Sequence, residues 1–295
     1  MTLGGYALYL TTILIWGSTW LAIKFQLGDV DPLASVIYRF GLASLLLFGW
    51  CLIARVRLRL SRREHAFILL QGVCLFGLNY WLIYWSEVYL TSGIVAVIFA
   101  SLVFLNIFNA RLFLKRPLSM AVILGALVGM CGISLLFWPE FHKANFSGNA
   151  LLGLAFGLAS TGIASIGNIL ATRNGVFGLS VISVNAWGML YGTLTLLLIA
   201  LIRGVEFRYA PGVAYTLSLL YLSVFGSILA FGAYLKLLAS IGPDRAGYTS
   251  MLIPVVALGL STLYEGYVWT LTAVIGLVLI LAGNVLVMRR KATLV

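Results

Sequence analysis

The chain has 295 residues, 62% of them hydrophobic and 9% charged. Soluble globular proteins carry about 25% charged residues, so this chain cannot cover a water-facing surface, and its mean hydropathy of +1.08 agrees. That excludes an ordinary soluble enzyme, a disordered chain and, despite the net charge of +11, a nucleic-acid binder. An all-α polytopic membrane protein fits. A β-barrel does not, because barrel strands alternate over about ten residues and these apolar runs are unbroken for about twenty.

A helix needs about 20 apolar residues to cross the bilayer core. Ten such runs follow one another, at roughly 4–24, 33–54, 65–87, 91–112, 118–138, 148–171, 178–202, 212–238, 245–265 and 270–288. The first has no basic region before it and no small-residue cleavage site after it, which reads as a retained helix. Arg55, Arg57, Arg59, Arg62, Arg63, Arg111, Lys115, Arg116, Arg173, Arg245, Arg289, Arg290 and Lys291 crowd one side, against Lys24, Lys143, Arg203 and Arg208 on the other. Basic residues mark the cytoplasmic side, so both termini are expected there. Asp29, Asp31, Glu87, Glu140, Glu206 and Glu265 fall at the outer ends. The positive charge is then a topology signal with attraction to anionic lipid.

The halves resemble each other. Phe76-Gly77, Glu87 and Gly93 align with Phe225-Gly226, Lys236 and Gly242, each 149 residues on, while Gly125 and Gly132 align with Gly276 and Gly283, 151 residues on. This predicts a duplication into residues 1–144 and 145–295, five helices each. Five is odd, so the second copy enters the membrane from the opposite face. Such inverted repeats suit alternating access around a shared central site, though channels use them too.

Cys51, Cys74 and Cys131 lie within apolar runs at no metal-ligand spacing and read as buried free thiols. His65 and His142 fall in or beside connecting segments. No metal site and no cofactor is expected. The P-loop lysine motif, an intramembrane histidine base, paired buried aspartates and clustered acids are all missing, which sets aside ATPases, intramembrane proteases and metal-dependent lipid transferases. Gly125/Gly129, Gly153/Gly157 and Gly188/Gly192 are G-x-x-x-G pairs that bring helices close.

Uncharged polar and aromatic residues carry the functional expectation. Thr12, Trp16, Thr19 and Trp20 share a face of the first helix; Asn79, Tyr80, Tyr84 and Glu87 share one of the third; Thr161, Ser165 and Asn168 share one of the sixth; Tyr248, Ser250 and Pro254 lie in the ninth. Lipid offers these groups no partner, so they face the bundle interior. Two readings stand side by side: hydrogen bonding between helices with interfacial aromatic belts, or a cavity for a small amphiphile. For the second, the candidate substrate-binding residues are Trp16, Trp20, Asn79, Tyr80, Tyr84, Ser165, Asn168 and Tyr248. Arg39 is the deepest charge. It serves a substrate carboxylate, pairs with Glu87 at an outer gate, or fixes the second helix through backbone carbonyls. Glu87 and Lys236 sit at mirrored depths, as gate residues or as side chains reaching the interface.

Ile15-Trp16-Gly17-Ser18, Arg39-Phe40, Gly226, Tyr234, Ala246, Pro254 and Tyr264-Glu265-Gly266 resemble motifs of the drug/metabolite transporter superfamily, in its ten-helix EamA branch. The first copy departs from the pattern, with Lys115-Arg116-Pro117 instead of the acidic turn and no proline matching Pro254. Within the branch the chain looks like the YddG-type bacterial amino acid exporters. The resemblance implies an inner-membrane protein whose central cavity exports aromatic and other neutral amino acids. Because both halves share one chain, a monomer is expected, in contact with lipid and not with nucleic acid. Distant four-helix relatives couple drug exit to protons through a glutamate in helix 1. This helix 1 has no acid, leaving uniport, or coupling through Glu87 or Glu265. Export of other metabolites or drugs, and a structural subunit of a membrane complex, are the competing functions. A fluorescent reporter that matures only in the cytoplasm, fused after Val295, is expected to light up, and a phosphatase active only outside is expected to stay silent there; the opposite result would reverse the orientation.

Overall fold

The computed structural model describes residues 3–90, 92–115, 117, 119–136, 138, 148–210, 212–264 and 269–288. Among them every regular element is helical: α1 (Leu3–Lys24), α2 (Pro32–Ile53), α3 (Arg62–Tyr89), α4 (Ser92–Ala100), α5 (Leu102–Leu114), α6 (Met120–Leu136), α7 (Gly148–Val176), α8 (Val181–Ile202), α9 (Val213–Ile241), α10 (Pro243–Ala246), α11 (Thr249–Tyr264) and α12 (Leu271–Met288). Seven spans in the described residues are long and apolar enough to cross a membrane: α1, α2, α3, α4 with α5, α7, α8 and α9. Helices α6, α11 and α12 are shorter.

Local chemistry sets the ends. Asp31 caps α2 by accepting from Leu33 N at 2.7 Å, and Pro32 opens the helix with a preset φ. Ser61 and Glu64 form a capping box at the start of α3. Gly242, at φ 86°, makes the turn from α9 into α10 that a side chain would resist.

Two expectations needed correction. The fourth and ninth runs are not single helices: the fourth breaks at Ser101 and the ninth between Ala246 and Thr249. Ser101 Oγ donates to Ile98 O, and Thr249 Oγ1 to Ala246 O, so these hydroxyls take carbonyls beside the breaks. The three cysteines are free, but only Cys51 is buried; Cys131 is exposed on the outside of α6. The expected roles of Glu140, His142, Lys143, Arg116, Glu265, Gly266, Arg289, Arg290 and Lys291 lie outside the described residues.

The helices pair in a regular way: α2 with α8, α6 with α12, α3 with α7, and α1 with α9 and α11. Glycines allow the approach of α6 to α12 and, in addition, that of α8 to α3, as the G-x-x-x-G spacing predicts. On α12, a Cβ at Gly283 would stand 2.6 Å from Gly125 O; on α6, one at Gly132 would stand 2.6 Å from Gly276 O and 2.7 Å from Ile280 N. On α8, a Cβ at Gly192 would stand 2.8 Å from Gly72 O of α3. In lipid, helix association relies on such close packing rather than on a hydrophobic drive.

The Gly132→Val chain is expected to lose roughly 1–3 kcal/mol through overpacking, read as a lower melting temperature in detergent. Gly232→Ala, whose Cβ meets nothing within 4 Å, is expected to melt with the parent.

Candidate substrate cavity

Helices α3 and α9 each contain a wide π-helical stretch, Val73–Leu78 and Leu222–Leu229, around the glycines Gly77 and Gly226. Such stretches are rare and recur at functional sites. In α9 the Ala230 N–H reaches Phe225 O and Ser227 O. The skipped carbonyl, Gly226 O, accepts from Trp16 Nε1 of α1 at 3.1 Å. That bond fixes the indole against Phe231 and Tyr234, with ring centroids 4.9 and 5.0 Å away.

Beside this indole lies a small cavity of about 50 Å³. Trp16, Thr19 and Trp20 of α1, Asn79 and Tyr80 of α3, Phe99 of α4, Asn168 of α7, Phe231 and Tyr234 of α9 and Ile253 of α11 line it, with further apolar side chains between them. Tyr80 also packs on Phe40 at 4.8 Å, and Phe76 joins Phe231 at 4.8 Å. The walls are therefore ring faces and edges, a setting that favours flat apolar groups.

The polar groups fall into two sorts. Asn79 is spent on structure: Ser160 Oγ donates to its Oδ1 at 2.6 Å, and its Nδ2 reaches Leu75 O. Asn168 is half spent. Its Nδ2 donates to Asn106 Oδ1 at 3.3 Å, while its Oδ1 has no hydrogen-bond partner. The Tyr234 hydroxyl, close to Asn106 and Asn168, makes no hydrogen bond of good geometry. Buried polar atoms without partners are costly, so these two are the free hydrogen-bonding capacity of the wall.

Five of the eight expected binding residues, Trp16, Trp20, Asn79, Tyr80 and Asn168, therefore line one cavity. The other three lie elsewhere. Tyr84 is buried with its hydroxyl donating to Gln26 Oε1 at 3.4 Å. Ser165 accepts from Asn109 Nδ2 of α5 at 2.8 Å. Tyr248, at the break between α10 and α11, turns to α6 and donates to Val122 O. Each has an inward-facing polar group, but a neighbouring helix or, for Tyr84, the turn after α1 takes it. Thr19 lies on the inward polar face read in helix 1, outside the candidate binding residues, and Phe99, Phe231 and Tyr234 join it on the wall. Phe99 and Phe231 give no polar signal in the sequence, and Tyr234 stands there as a motif residue.

Arg39 is fully buried. Its Nε donates to Ser227 Oγ of the α9 π stretch at 3.0 Å, and its guanidinium carbon lies 4.6 Å from the Tyr80 ring centroid and 5.0 Å from that of Phe40. Nη1 and Nη2 have no hydrogen-bond partner, Glu87 included. Tyr84 lies within electrostatic reach of both Arg39 and Glu87. Placing a charge at the centre of a membrane helix costs about 2.5–3.5 kcal/mol on insertion scales, and ring contacts return roughly 0.5–2 kcal/mol. Lys236 is exposed and turned away from the interior, as expected for a side chain reaching the interface.

The family model described as EamA-like transporter family matches residues 3–138 and again residues 151–289. The chain belongs to the EamA-like transporter family. It is a multi-pass membrane transporter whose relatives include the Bacillus subtilis (strain 168) uncharacterized transporter YoaV, 24% identical with 93% of each chain covered. The Escherichia coli (strain K12) uncharacterized inner membrane transporter YedA is 28% identical over 87% of this chain and 80% of its own. A solved crystal structure superposes with a TM-score of 0.79 over 97% of each chain at 17% identity, a likeness of fold.

For this EamA-like chain, replace Cys51, Cys74 and Cys131 and introduce single cysteines. A small water-soluble maleimide is expected to label Asn168→Cys and Thr19→Cys but not Tyr248→Cys; equal labelling of all three would dissolve the distinction between cavity and packing.

Proposed function

We propose that the protein exports amino acids, aromatic and other neutral ones, across the bacterial inner membrane by alternating access. The observation that carries this is the cavity: aromatic walls drawn from α1, α3, α4 and α9, with unspent polar atoms on Asn168 and Tyr234. Rings suit an apolar side chain, and the unspent atoms suit a substrate that brings its own donors and acceptors. The resemblance to YddG-type exporters implies the same class of substrate.

We also propose that the chain crosses the membrane ten times, as inverted halves 1–144 and 145–295, with both termini in the cytoplasm, and acts as a monomer. Three features support the inverted halves. The family model matches twice. The π stretches surround Gly77 and Gly226, which are related by the offset read in the sequence. The helix pairs also exchange with each other under that offset: α3 on α7 corresponds to α9 on α1, while α2 on α8 and α6 on α12 each map onto themselves. In alternating access each half adopts the other's shape, opening the cavity to one side and then the other. Trp16, Trp20, Asn79, Tyr80 and Asn168 contact the substrate in this reading, while Arg39 and Glu87 govern the outer half of the path.

Purified protein in liposomes is expected to carry labelled tryptophan, phenylalanine and neutral aliphatic amino acids saturably, and Trp16→Ala is expected to raise KM by about tenfold or more, the loss of roughly 1.4 kcal/mol of ring contact. A panel run with and without a proton gradient that shows no saturable amino acid flux would remove the substrate assignment.

A further inference from the structure

Arg39 is the one fully buried cation reaching the cavity wall among the described residues, and its environment is incomplete in a particular way. Guanidinium is a planar fork of five donors. Ser227 takes Nε, and the two Nη groups have no partner. Neutral rings, Tyr80 and Phe40, cover its face, and the Tyr80 and Tyr84 hydroxyls are the polar groups near it. A charge held only for structure would gather backbone carbonyls or an acid around its fork, since a buried unpaired charge is costly.

Nη2 borders Gly226. A Cβ there would stand 3.1 Å from Arg39 Nη2 and 3.0 Å from Thr19 Cγ2, so only a glycine fits between the guanidinium and this cavity-lining residue. The Tyr80 ring over its face is itself a lining residue. The π turn that frees Gly226 O for Trp16 also presents Ser227 to Arg39. One irregular turn therefore positions both the indole of the wall and the fork behind it.

We infer that Arg39 is the carboxylate-recognising group of this transporter: with Tyr80 swung aside, Nη1 and Nη2 take both oxygens of the substrate's carboxylate on the side that ring covers. This rests on the amino acid reading and sharpens it, because it makes the carboxylate obligatory and excludes amines and amides as good substrates. A bidentate carboxylate matches the fork in geometry and charge, and an interior already bearing the cost of the cation gains most from an anionic ligand.

The test uses the full chain in liposomes and labelled tryptophan, competed by indole-3-propionate or by its neutral amide. On the parent protein the carboxylate is expected to inhibit at about tenfold lower concentration than the amide, as one charge-assisted pair requires. Arg39→Gln is expected to erase that ratio by weakening the carboxylate alone, with Arg39→Lys in between. Gly226→Ala, which presses on Nη2 and Thr19, is expected to act in the same direction. Equal inhibition by the two competitors on the parent overturns the inference, as does an Arg39→Gln chain in which the ratio survives. Should Arg39→Gln fail to fold, the comparison on the parent decides alone. Tryptophan flux with no carboxylate preference removes this inference and leaves amino acid export standing; no flux of any amino acid removes both.

Discussion

Because Ala230 N–H reaches Phe225 O and Ser227 O, the carbonyl of Gly226 is left over inside an apolar bundle, and a bilayer supplies no water to take it. Trp16 Nε1 takes it instead. That single bond orients the largest ring of the cavity, and the ring in turn packs on Phe231 and Tyr234. The same turn offers Ser227 to Arg39, and its glycine lets Nη2 and Thr19 approach the backbone closely. Restoring a regular helix here would return the carbonyl to the ladder, release the indole and move Ser227 by part of a turn. The cavity thus depends on an irregularity that the rest of the packing must hold in place, as strained or irregular backbone at functional sites generally requires.

What could be read beforehand follows the same physics. Hydropathy located the helices because the bilayer demands long apolar runs, and the G-x-x-x-G pairs located close contacts because only glycine lets backbones meet, as at Gly192 on Gly72. Trp16, Trp20, Tyr80 and Asn168 were legible because a polar or amphipathic group inside a membrane helix must turn inward. Inward is not the same as cavity-facing, however. Ser165, Tyr84 and Tyr248 turn inward too, and Asn109, Gln26 and Val122 O absorb them. Pattern alone cannot tell a hydrogen bond made to the next helix from one held open for a ligand.

The π stretches and the breaks at Ser101 and Gly247 were illegible for a different reason. Residues in Leu222–Leu229 have ordinary helix-forming character, and the extra width comes from partners distant in sequence, Trp16 and Arg39, that reward a skipped carbonyl and a displaced serine. Tertiary context overrides a weak local preference. The apolar members of the wall, Phe99 and Phe231, were hidden because a ring facing a cavity and a ring packed in a core carry the same one-dimensional signal.

The ends of the bundle suggest why such a molecule can change shape. Near the starts of α2 and α9, Gln26 Nε2 donates to Ser218 Oγ, Tyr84 to Gln26 Oε1, and Ser35 shares a hydrogen bond with Tyr215. Toward the other face, Asn174 Nδ2 donates to Gln71 Oε1 and Asn106 Nδ2 to Pro243 O. These are neutral bonds, and hydrogen bonds between membrane helices average only about 0.6 kcal/mol. The glycine interfaces of α6 with α12 and of α8 with α3 are of another kind, backbone against backbone, where small displacements meet hard contacts. Parting one end therefore breaks a few weak bonds while the glycine seams keep their register. Two states that differ by a few such bonds lie within a few kcal/mol of each other, and a solute bound between them can then tip the balance with the modest differential affinity a transport cycle needs.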